Sequence, residues 1–167
     1  EPNPTTARTL RSNASLNGVN LEVREVALGA AAGEVHLVSD NPLESGWFRV
    51  ADEAADGSVK VPQETLDQAL GNLRVKVLKI DAEGFEEHAL RGARGVLRRD
   101  HPLLVVEGAN ATALAVQESI LHPLGYARGK CWNATPTYFW TPRAQFCVVI
   151  TTHNRPRELL LLLEDIA

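Results

Sequence analysis

Four acids in this chain stand where carboxylates are useful. Within "VKVLKIDAEGFEEHALRGARGVLRRDHPLLVVEG", Asp81 ends one apolar run, Glu83 opens the helix-like stretch after it, and Glu107 ends the next apolar run. An acid closing a buried strand is costly unless something pairs with it. Two such closures one helix apart predict a single place where both carboxylates are used. Three uses fit. One carboxylate can accept a proton from a substrate hydroxyl, two can hold a divalent cation through oxygen, or Glu83 can cap its own helix. The fourth acid, Glu1, directly precedes the N-cap of a helix. An acid at the carboxyl end of a strand can accept hydrogen bonds from ribose hydroxyls. His88 is mid-helix and is expected to pack or to face solvent.

The elements that must position these acids follow from periodicity. "EPNPTTARTLRSNASLNG" reads as a helix with Asn3 as N-cap, Pro4 at its first position and Gly18 as its stop. Ala7, Leu10, Ala14 and Asn17 fall on one weakly apolar face. "LEVREVAL", Leu21–Leu28, alternates as a half-buried strand, and "EVHLVS" is a second strand that could pair with it as a hairpin. From Asp40 to Gly57 the chain reads as loop apart from "WFRV". "VPQETLDQALGNL" predicts a helix through Leu66, Ala69, Leu70 and Leu73. "VKVLKI" is a strand, and "FEEHALRGARGVLRRD" a helix with Phe85, Ala89, Ala93, Val96 and Leu97 inward. Its acids lie in the first turn and its arginines in the last, matching the helix dipole. "PLLVVEG" is a strand, "NATALAVQESILHPLGY" a helix and "TYFWTP" a final strand. Strands alternating with helices predict an α/β, doubly wound, mostly parallel sheet with helices on both faces. In such sheets ligands bind beyond the carboxyl ends of the strands, where Asp81 and Glu107 fall.

The totals agree with one ordinary domain: 167 residues, 44% hydrophobic and 23% charged. A net charge of −4 with interspersed signs gives no footprint for nucleic acid or anionic membrane. No apolar stretch approaches the roughly 20 residues that span a bilayer. Cys131 and Cys147 lack metal-ligand spacing and read as reduced thiols of a cytoplasmic protein. The chain contains no methionine, and "LLLLLEDIA" stops inside a helical pattern, so a piece of a longer protein is expected.

Five blocks carry a resemblance: "EPNPTTARTLRSNASLNG", "VREVALGAAAGEVHL", "VPQETLDQAL", the long segment quoted above with its "KIDAEGFEEHALRGA" core, and "LHPLGY". In order and spacing they resemble the FkbM family of S-adenosylmethionine-dependent methyltransferases, and the core resembles that family's Lys-Ile-Asp-x-Glu-Gly-x-Glu signature. The resemblance implies a Rossmann-like methyltransferase fold, S-adenosyl-L-methionine as cofactor, and methyl transfer to an oxygen of a sugar, glycan or natural product. It implies that Glu1 holds the cofactor ribose and that Ala27 and Leu28 lie near the adenine. Asp81 is then the first choice of base, with Glu83 or Glu107 as substrate ligand; a Mg2+ between the acids stays open, with no further ligand for it that can be named. The family's first strand and glycine-rich loop would precede Glu1 and have no counterpart here. Val75–Ile80 is therefore expected to present a raw apolar edge or to pair with Leu21–Leu28 instead. The isolated 167 residues are expected neither to bind the cofactor tightly nor to methylate.

"FCVVITTHNRPRELLLLLEDIA" resembles the opening strand and helix of a family 2 glycosyltransferase, implying that Thr151, Thr152 and Arg155 face a nucleotide-sugar. The organisation expected is thus a methyltransferase-like domain over 1–143 and the start of a glycosyltransferase-like domain over 144–167. Two other readings stay open: a nucleotide-binding or scaffold module without catalysis, and an accessory domain of a glycosyltransferase.

Overall fold

A computed structural model describes residues 1–39, 48–51, 57–132 and 136–143. The glycosyltransferase-like segment 144–167, Cys147 and parts of the 40–57 loop lie outside the described residues.

Helix α1 (Pro4–Leu16) starts as its sequence dictates. The Asn3 side chain accepts a hydrogen bond from the Thr5 amide at 2.9 Å, Pro4 takes the first turn, and Gly18 turns the chain away at φ 65°. Strand β1 is only Ala27–Leu28, where a strand over Leu21–Leu28 was expected. Side chains occupy the backbone upstream: the Arg11 guanidinium donates to the Val23 carbonyl, and Arg11 also pairs with Glu25. Strands β2 (Gly33–Ser39), β3 (Phe48–Ala51) and β4 (Val59–Glu64) complete a sheet in the order β1-β4-β2-β3. The expected hairpin of β1 with β2 does not form. β1 runs parallel to β4, with Ala27 opposite Gln63, and β4 and β2 are antiparallel. Pro62 hides β4 from a pattern search, since proline demotes a strand; it falls opposite Glu34, just before the pairing with β1 begins.

Helix α2 (Leu66–Leu70) is shorter than its pattern implies. A reciprocal Thr65–Gln68 capping box starts it, Gly71 ends it at φ 52°, and Leu73 is left 61% exposed. Strand β5 (Val77–Ile80) leads through the Asp81–Phe85 turn to α3 (Glu86–Arg91) and α4 (Arg94–Asp100), two helices where one was expected. At the break the Gly92 carbonyl accepts the Asp67 amide at 2.9 Å instead of an amide of its own helix, and the position is sterically tight. A Cβ on Gly92 would meet the Gly29 carbonyl oxygen at 2.1 Å, so only glycine lets the two backbones touch there. Beside this contact, Asp67 accepts the amides of Gly95 and Val96 at 2.8 Å and caps α4 from another element.

Strand β6 (Leu103–Glu107), α5 (Ala111–Leu121), a single 3₁₀ turn, β7 (Tyr126–Trp132) and β8 (Thr137–Pro142) finish the chain. They form a second sheet, β5-β6-β8-β7, in which only β5 and β6 are parallel. The architecture is therefore α/β with two mixed four-stranded sheets, not one mostly parallel, doubly wound sheet. Leu104, Val106, Tyr126 and Trp140 bury one face of the second sheet against Leu90, Leu97, Ile120 and Leu121 of the helices. The first sheet keeps a smaller core of Ala27, Val35, Leu37 and Val61. β5 is an end strand and does not pair with β1; its Val77 is 60% exposed. Among the described residues no helix is long and apolar enough to cross a membrane.

Candidate functional site

A cleft of about 440 Å³ lies between the first sheet and the end of β5. Its walls bring together residues more than fifty positions apart: Glu1 and Thr6 from the start of α1, Val26–Leu28 around β1, Leu37 and Val50 from the first sheet, and Lys79, Asp81, Glu83 and Phe85 from β5 and its turn. Of the six residues placed above at the acid and cofactor positions, five line it: Glu1, Ala27, Leu28, Asp81 and Glu83; Thr151, Thr152 and Arg155 lie outside the described residues. Glu107 is not part of the wall, but its carboxyl is within hydrogen-bonding reach of Asp81. The parallel pairing of β5 with β6, Ile80 opposite Val106, puts the two acids at the same end of neighbouring strands.

Local chemistry fixes each acid. One Glu1 carboxylate oxygen accepts the Asn3 amide at 2.9 Å. Asp81 forms an ion pair with Lys79 at 2.7 Å, two residues back on the same side of the strand. That lysine is the main reason the Asp81 carboxyl lies below its ordinary range. Glu107 moves the opposite way, pushed up to about 7 first by burial and then by the neighbouring Asp81, Glu86 and Glu83 charges. The two carboxyls titrate as a pair, with Glu107 holding its proton nearer neutrality.

The turn after Asp81 is unusual. Glu83 has φ 49° and Gly84 φ 92°, both left-handed. Glu83 does not cap α3. Instead Glu86, only 5% exposed, turns its carboxylate back and accepts the amides of Ala82 at 2.8 Å and Gly84 at 3.2 Å. Sequence reasoning counted Glu86 only as a dipole-matching acid, and Lys79 not at all. A glutamate just after a glycine turn, within reach of free amides, is the signal that could have found Glu86. His88 stacks on Phe85, with ring centroids 4.0 Å apart. Among the described residues no group of histidine, cysteine, aspartate and glutamate is arranged to hold a metal ion.

An adenosine moiety needs an acid for its ribose hydroxyls and an apolar wall for its base. Glu1 and the Val26–Leu28, Leu37 and Val50 surface meet both needs, and the volume falls in the roughly 300–1,000 Å³ range of small-molecule sites.

Comparison with known proteins bears on the same region. The sequence model of the methyltransferase FkbM domain matches residues 1–122. No curated protein matches the chain. The fold is similar to the crystal structure of Methyltransferase FkbM from Methylobacillus flagellatus KT, with a TM-score of 0.62 and 18% identity. The likeness covers 84% of this chain and 35% of that one, so the chain spans about a third of the matched protein's length.

Proposed function

The chain belongs to the FkbM methyltransferase family, and on that premise we propose that it supplies the cofactor cleft and acid rim of an S-adenosylmethionine-dependent O-methyltransferase. The observation that carries the reading is the convergence of Glu1, Ala27, Leu28, Asp81 and Glu83 on one cleft, with Glu107 against Asp81. Glu1 would hold the ribose hydroxyls, and Ala27 and Leu28 the adenine. The cofactor supplies an electrophilic methyl group on a cationic sulfonium. Asp81, kept anionic by Lys79, suits a cation beside it.

Methyl transfer to a hydroxyl needs alignment and a base. Asp81 faces the cleft but is a weak base; Glu107 has a basicity matched to neutral pH but stands one carboxyl away. We therefore give the two acids one task. The hydroxyl proton passes to the Asp81–Glu107 pair, and Glu83, exposed on the turn, orients the acceptor. The glycosyltransferase-like sequence over 146–167 makes a sugar hydroxyl the acceptor of first choice.

Because the chain spans about a third of the matched structure, the test uses the whole gene product with radiolabelled S-adenosylmethionine and a panel of sugar and natural-product alcohols. Transfer by the wild type, and a loss of kcat/KM of about 100-fold or more in Asp81→Asn, is the expected result. No transfer to any hydroxyl refutes the activity. Full activity in Asp81→Asn refutes the role of the acid rim.

A further inference from the structure

Glu86 is a buried carboxylate outside the cleft wall, and it accepts hydrogen bonds from two backbone amides. Both end on the same oxygen, and both come from the turn that carries Asp81 and Glu83. That turn carries a local conformational cost. Glu83 is a non-glycine residue in the left-handed region, a conformation that persists only where the surroundings impose it. Asp81 follows a strand bonded on one side only among the described residues, so the sheet alone holds it loosely. Burying an acid to hold two loop amides is justified where the loop's shape matters.

We propose that Glu86 is a positioning residue for the acid rim: its carboxylate clamps the amides of Ala82 and Gly84 and so fixes the turn that presents Asp81 and Glu83 to the cleft. The cleft reading given above says why the turn matters, but the clamp can be measured without any methyl transfer.

The variants are Glu86→Gln, whose amide oxygen can accept both N–H groups, and Glu86→Ala, which removes the acceptor. Amide hydrogen exchange at Ala82 and Gly84, and carbon-13 NMR titration of the Asp81 carboxyl, are measured on each. Glu86→Ala should lower protection of the two amides by about tenfold or more, the factor equivalent to one charge-assisted hydrogen bond. It should also return Asp81 toward the ordinary aspartate range as its contact with Lys79 loosens. Glu86→Gln should keep protection within about threefold of wild type and rescue the Asp81 titration. If Glu86→Ala does not fold, Glu86→Asp, one methylene too short to reach, carries the same expectation. Unchanged protection and an unchanged Asp81 titration in the acceptor-removed or shortened variant overturn the proposal. A wild type that shows the clamp but transfers no methyl group leaves Glu86 assigned and sinks only the activity.

Discussion

Replacing Glu107 with glutamine should stabilise the folded protein above pH 7 and leave it nearly unchanged at pH 5. The Glu107 carboxyl titrates at about 7 in the fold against an ordinary value of 4.5. Between those values the folded chain still holds a proton that the unfolded chain has released. Stability therefore falls as pH rises, by about 1.4 kcal/mol per pH unit for one group. The sign follows from the raised carboxyl: its contribution is complete below 4.5, is lost through about 7, and stays lost above. The whole span sets a ceiling of about 3 kcal/mol. Water at the half-buried rim screens part of it, so about 1–2 kcal/mol is expected at pH 8. The opposite window belongs to Asp81, the other member of the pair. Its carboxyl is lowered, chiefly by Lys79, so its contribution is present above 3.8 and lost only as pH falls below. Urea unfolding of wild type and Glu107→Gln at pH 5 and pH 8 reads the difference directly. A stability gap that is the same at both pH values would refute the assignment of Glu107 as the high-titrating member of the pair. The same substitution should depress methyl transfer, so stability and activity move in opposite directions, as expected where a site is built from strained charge.

Two further substitutions test the frame around the cleft. Gly92→Ala places a Cβ 2.1 Å from the Gly29 carbonyl oxygen and should cost about 3 kcal/mol; a thermal midpoint equal to wild type would mean that the two backbones do not touch. Leu104→Ala empties a fully buried position in the larger core and should cost about 3–4 kcal/mol in urea unfolding, whereas a change below about 1 kcal/mol would contradict that burial.

The helix starts were the most legible part of the fold, because their signals are local. Asn3, Pro4 and Gly18 bound α1 as their side chains and backbone preferences require. The strands leading to Asp81 and Glu107 were equally plain by type, since apolar β-branched residues bounded by polar ones mark a strand. The burial expected of both holds for β6 and not for the largely exposed β5. Contacts distant in sequence were not legible. Gly92 touches the Gly29 backbone and gives its carbonyl to Asp67 where the long helix breaks, and nothing near it in the sequence announces either contact. β7 was missed because "YARGKCW" neither alternates nor stays apolar, and its pairing with β8 shifts register between Arg128 and Cys131. The parallel architecture was over-read for the same reason: alternation of elements does not reveal that β2 and β8 run against their neighbours. In the site, the acids were legible by type and their division of labour was not. Lys79 and burial set opposite titrations for Asp81 and Glu107, and both effects depend on what packs nearby.

Among the described residues β5 is paired on one side only, and that bears on how the rim is set. A peptide ribbon anchored along one flank can sway about that flank, and whatever terminates it inherits the sway. Asp81 directly follows β5, so its aim depends on the clamped turn behind it and on any neighbour laid along the flank that the described residues leave open. A strand joined there would steady the aspartate without touching it, and the readiness of the acid and the occupancy of that flank would rise and fall together.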